Sequence, residues 1–127
     1  MTIKRSTWVL IVAVVAALGG MAPVAAHHSH GNYIRSDWTY LQGTVRQIHW
    51  MNPHSWIYLE VQDTNGEAQI WALEGASVVT LRRDGWTPDS VRAGDTLSVR
   101  CNPLKDGSRG CLLGFILSED GEEKEFD

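Results

Sequence analysis

The chain has 127 residues, a formal charge of −4, 43% hydrophobic and 20% charged residues, and two cysteines. That length accommodates one domain around one core and is too short for two. The acidic balance excludes electrostatic capture of a nucleic-acid backbone.

Lys4 and Arg5 precede an uncharged run from Ser6 to Ala26, almost wholly apolar between Trp8 and Leu18 and then broken by Gly19, Gly20 and Pro23. This is the charged, apolar, small-residue order of a signal peptide, and residues 1–26 are read as one. Val24 and Ala26 occupy the small-residue positions, so the favoured cut falls between Ala26 and His27, with a cut after Ala25 as the alternative. An uncleaved anchor is the other fate open to such a run, since about 20 apolar residues span a bilayer. Two glycines and a proline in its last third argue for cleavage. No cysteine follows the run as a lipid acceptor and Lys4-Arg5 is not a twin-arginine pair, so the sequence predicts an exported, periplasmic protein that is not membrane-embedded after cleavage. Removal of residues 1–26 leaves 101 residues and, with two of the 11 basic and none of the 15 acidic residues gone, a charge of −6.

Residues 27–40 form a histidine-rich lead-in, with His27, His28 and His30. From Leu41 to Trp50 an alternating strand slips phase at Arg46-Gln47, the mark of a bulge. Ser55 to Asp63 alternates cleanly, with Ile57, Leu59 and Val61 on one face and Trp56, Tyr58, Glu60 and Gln62 on the other. Asp63-Thr64-Asn65-Gly66 turns the chain into a third strand, Ala68 to Glu74. Ser77 is placed to cap a short helix that runs through Asp84 and ends at Gly85, and Thr87-Pro88 can start another helical turn. Thr96 to Cys101 and Cys111 to Leu117 complete the set, with Cys111, Leu113, Phe115 and Leu117 assigned to one inward face. Residues 118–127 hold six acids and one lysine, with little left to bury, and are expected to form an acidic mobile tail.

Three strands, a helix and two strands is the order of a five-stranded OB-like Greek-key barrel, here residues 41–117. Closure lets about a hundred residues bury a core without open sheet edges, and an open β-sandwich is the alternative fold. Cys101 and Cys111 flank turn formers between two alternating runs, and an exported thiol pair is oxidised, so a disulfide is expected across the last hairpin.

Ala26-His27-His28-Ser29, Gly43-Thr44-Val45 leading to Trp50-Met51-Asn52-Pro53-His54, Leu81 to Trp86 with its Arg-x-Gly-Trp core, Gly94-Asp95 and Lys105-Asp106-Gly107-Ser108 occur in that order. Together they resemble a family of exported bacterial proteins known only as a domain of unknown function. The resemblance spans nearly all of the mature chain. It implies location and membership, and brings no catalytic residues with it. The chain departs from the family's pattern at His30, where an aromatic residue is expected.

All five histidines, His27, His28, His30, His49 and His54, fall between positions 27 and 54. A free N-terminal His27 offers its amine and imidazole to one ion, a chelate that resembles the histidine brace of copper proteins. His54, placed after the Asn52-Pro53 turn, is the expected second imidazole, with His28 and His49 as lesser nitrogen donors and Met51 as a nearby thioether suited to reduced copper. A cut after Ala25 would put histidine third, an arrangement similar to the amino-terminal copper and nickel motif, so copper is favoured either way. Zinc is disfavoured, because its structural ligand spacings are missing. The bland alternative is that the leading histidines belong to a disordered segment while His49 and His54 satisfy backbone groups around a turn.

Trp56, Tyr58 and Trp71 form the other candidate surface, a platform on the second and third strands for a peptide, glycan or envelope protein. The competing expectation is that the segment with Tyr33, Trp38 and Tyr40 packs over Trp56 and Tyr58. No nucleophile elbow, zinc-protease helix or phosphate-binding loop occurs, and no catalytic residue is assigned. The function expected from sequence is therefore that of an exported ligand-binding protein, for copper or for an unknown small ligand or envelope partner.

Overall fold

The computed structural model describes residues 30–127, so the expected signal peptide and His27 and His28 lie outside the described residues. A 3-10 turn at His30–Asn32 opens the described residues, followed by β1 (Thr39–His49), β2 (Trp56–Gln62), β3 (Ala68–Glu74), α1 (Val78–Arg83), β4 (Thr96–Pro103), β5 (Gly110–Leu117) and β6 (Glu123–Glu125). The sheet runs β3-β2-β1-β4-β5-β6, and a parallel pairing of β3 with β5, from Ala72 opposite Gly110 to Glu74 opposite Leu112, closes the first five strands into a barrel. The described residues form a mainly β, OB-like barrel with one short helix and one added strand, and the closure removes the open sandwich from consideration.

Each joint has a local cause. In β1 the register shifts between Val45 and Gln47, leaving Arg46 as the extra residue of a bulge that bends the strand across the barrel. The β2–β3 turn is held by Asp63, whose Oδ1 accepts the backbone N–H of Asn65 at 2.8 Å and of Glu67 at 2.9 Å. Ser77 Oγ accepts the Thr80 N–H at 3.2 Å and caps α1, which ends where Gly85 takes φ +84°. α1 lays Leu81 onto the core. Thr87-Pro88 forms a turn and no further helix.

Ile57, Leu59, Val99 and Leu113 point inward and are buried, with Val61 and Leu97 packed partly against them. Cys101 and Cys111 are bonded inside this core, with Cα atoms 5.6 Å apart. Phe115 is a correction. Arg100 pairs with Phe115 while Cys101 pairs with Leu113, so Gly114 is a bulged residue and the strand changes phase there. Ile116 takes the inward place, and Phe115 turns outward beside Trp38, 5.9 Å between ring centroids, with the Arg100 guanidinium over both rings.

The segment after Ser118 also departs from expectation. Instead of a solvated tail, it turns at Gly121 and returns as β6 alongside Phe115–Leu117. Phe126 is 2% exposed and meets Trp86 edge to face at 5.0 Å, and its N–H donates to the bulge carbonyl of Gly114 at 2.9 Å. Its own carbonyl accepts the Ala76 N–H at 2.9 Å. Arg100 binds Glu123 through two 2.6 Å contacts, so the acids that signalled a tail face outward along a strand anchored by one aromatic residue.

Candidate functional site

His54 lies between β1 and β2, in a loop whose position is set from both sides. The Asn52 Oδ1 accepts the Val78 N–H at 3.0 Å, which ties the loop to the start of α1. Ser55 is fully buried and exchanges backbone hydrogen bonds with Gly75 and Ala76, at 2.8 and 3.0 Å, extending the β2–β3 ladder past Trp56. These bonds leave His54 alongside Gly75, with its Nδ1 3.3 Å from the Gly75 carbonyl and 3.3 Å from Glu74 Oε1. The Asn52-Pro53 peptide within the loop is cis.

The start of the described chain arrives at the same place. The His30 ring lies 6.5 Å from that of His54, in a T-shaped arrangement. Tyr33 is buried, bridges to Leu104, and donates its hydroxyl to Glu74 Oε2. Burial and that hydrogen bond push its ionisation well above the ordinary phenol range, so the hydroxyl remains a donor. Asp127 completes the cleft that His30, His54, Asn52 and the α1 residues Val79 and Thr80 line. Burial holds its carboxyl above the usual carboxylate range against the pull of His30 and Arg35, with Glu74 adding repulsion.

Hydrogen bonding distinguishes the two imidazoles. Both oxygens facing His54 Nδ1 can only accept, so that nitrogen is the donor. His30 is the reverse. The Arg35 guanidinium donates to its Nδ1 at 2.8 Å, which puts the proton on Nε2. Among the described residues no three of the His, Cys, Asp and Glu side chains come close enough together to hold an ion.

The other expected ligands lie apart from this cleft. His49 contacts Gln47 at 2.6 Å and stacks edge-on against Tyr58 at 5.1 Å. Trp56 stands between His49 and Glu74 in the row of cross-strand partners, so a strand separates His49 from His54's neighbour. Met51 is solvent-exposed. Sequence reasoning passed over His30, Glu74, Tyr33 and Asp127. The signal available was the spacing of His30 from His27 and His28; Tyr33 is brought in by the leading segment's bridge to Leu104, Glu74 by β-closure and Asp127 by β6, which no local pattern reveals.

The aromatic platform divides between two faces. Trp71 pairs with Leu59 and packs on the core, whereas Trp56 and Tyr58 alternate with Ile57 and Leu59 and stand half-buried on the outside. Ile70, 48% exposed, lies with them on the outer face of β3. Of the segment expected to cover them, Tyr33 reaches Glu74 beside Trp56, Trp38 packs against Phe115, and Tyr40 is exposed.

A fold and a cleft of this kind define a small OB-like barrel with a histidine at the mouth of its first loop. The chain belongs to a family of unknown function, DUF6152, which it matches over residues 14–113. No curated protein and no solved structure matches it. The match ends inside β5, so the bulge at Gly114 and the whole of β6 lie beyond it.

Proposed function

We propose that the mature protein is an exported, periplasmic copper-binding module in which the amine and imidazole of His27 and the Nε2 of His54 hold one Cu(II). The observation that carries this reading is the 6.5 Å separation of the His30 and His54 rings. Three residues of chain span up to about 11 Å, so a terminus at His27 reaches His54 without strain. Copper stands highest in the affinity order of divalent ions for such nitrogen donors. His28 is the alternative third nitrogen. Met51, exposed in the same loop, is the thioether that reading offers to reduced copper.

The test is copper affinity by competition with a chelator for three proteins: the His27 start, the same chain extended by one residue, and His54→Ala. The extension removes the amine from the chelate and leaves every imidazole, so its affinity should fall at least tenfold, as should that of His54→Ala. Equal affinities would mean that the ion is held loosely by a histidine-rich tail.

A second reading rests on the half-buried Trp56 and Tyr58 beside exposed Ile70, on the strands that OB-folds use for ligands. On that reading the protein is a module for a peptide, a glycan or an envelope partner. Tyr58→Ala would then abolish a measured interaction and leave copper affinity unchanged.

A further inference from the structure

We infer that the groove holding β6 is a strand-acceptor site, open to the β6 of a second copy of this chain as well as to the chain's own. The inference is independent of the copper reading.

The groove lies between the edge of β5 and the residues that follow β3. On one side Phe115–Leu117 pair antiparallel with Glu123–Glu125, and the Gly114 carbonyl accepts the Phe126 N–H at 2.9 Å. On the other, the Ala76 N–H donates to the Phe126 carbonyl at 2.9 Å and the Trp86 indole N–H to the Glu125 carbonyl at 2.6 Å. Backbone groups grip the segment from both sides, as in recognition by strand addition, where a side-chain pocket adds the specificity. That pocket takes Phe126. Gly75 makes the room, since a Cβ there would stand 2.6 Å from Phe126 Cδ1, and Trp86 meets the ring edge to face. Arg100 pairs with Glu123, and the Lys124 ammonium lies 4.1 Å from the centre of the Trp86 ring. Shape and charge together specify an extended Glu123-Lys124-Glu125-Phe126 segment, which every copy of the chain carries. The acceptor residues Gly75, Ala76 and Trp86 fall within the family match, and the donor strand lies beyond it.

These contacts are the same whichever chain supplies the strand. β6 is joined to β5 through the turn Ser118 to Glu122, where the Ser118 N–H donates to the Glu122 carbonyl and the Gly121 N–H to the Ser118 carbonyl, both at 2.9 Å, with Gly121 at φ +86°. Opening the turn gives up those two bonds and restores every groove contact in trans, the arrangement of a strand-swapped dimer. The chain's own strand competes through its short tether, which holds it at an effective concentration of about 1 mM, so the wild type should be monomeric at about 10 µM.

The experiment pairs two variants of the otherwise unchanged protein. Gly75→Ala fills the pocket and leaves β6 able to donate; Phe126→Ala leaves the pocket open and spoils the strand. By native mass spectrometry at about 10 µM each should be monomeric alone, and an equimolar mixture should form a heterodimer at least tenfold tighter than wild-type self-association. Adding Gly75→Ala to the Phe126→Ala chain should abolish it. No heterodimer from two variants that are folded by circular dichroism, or one that survives the added Gly75→Ala, overturns the inference. Should Phe126→Ala fail to fold, Gly121→Val decides. No atom lies within 4 Å of a side chain there, so valine acts only on the closed turn, whose φ a β-branched residue resists. Its dimer should be at least tenfold tighter than that of the wild type, and unchanged self-association overturns the inference.

Discussion

Asp63 is the residue at which charge and backbone geometry meet most plainly. Its carboxyl is held below the ordinary aspartate range, first by the Glu67 N–H and then, against the opposing cost of desolvation, by the Asn65 N–H, the Gln69 amide and the charge of Arg109. A carboxylate depressed in the folded state contributes stability that is present above its ordinary range and is lost as pH falls through its folded value. Thermal melts of the wild type should therefore decline more steeply below about pH 4 than those of Asp63→Asn, which keeps the oxygen and loses the charge. Parallel curves would show that the turn does not depend on the ionised form. Asp63 was legible as a turn residue because its neighbours are Thr64, Asn65 and Gly66. Glu74 was not. In the sequence it is one more acid at a strand end, and it gains its partners from positions 41 and 20 residues away in the chain, Tyr33 and His54.

At the scale of elements, the first four strands and the helix of the barrel follow from alternation, turn chemistry and capping, and the bulge in β1 follows from the phase slip at Arg46-Gln47. The second bulge left no comparable trace. Cys111 to Leu117 is apolar on both faces, because β5 is covered on the outside as well, and a run without alternation carries no phase to read. Gly114 was the available cue, since a side chain there would stand 2.8 Å from the Trp38 ring. β6 was hidden by composition. Its acids outweighed the single Phe126, although one aromatic residue buries enough area to hold three paired residues in place. Phe126→Ala should cost about 3–5 kcal/mol in urea unfolding, with the milder Phe126→Leu retaining most of that stability. A mobile tail would keep both variants within about 0.5 kcal/mol of the wild type.

For the molecule as a whole, closure does the work that size cannot. A barrel of this length has no sheet edge left between β3 and β5, and the Cys101–Cys111 bond within the core adds on the order of 2–3 kcal/mol by restricting the unfolded chain. Closure also assembles the cleft. β3 contributes Glu74, the β1–β2 loop contributes His54, the leading segment contributes Tyr33 and His30, and the chain following β6 contributes Asp127, so no two of the groups are close in sequence except His30 and Tyr33. The copper reading joins this cleft to an amine that export would free. The most direct measurement is the native mass of the protein recovered from the periplasm, before and after equilibration with one equivalent of Cu(II). The account predicts a chain that begins at His27 and carries a single copper ion. A chain that retains residues 1–26, or one that begins at His27 and leaves the copper in solution, would contradict it.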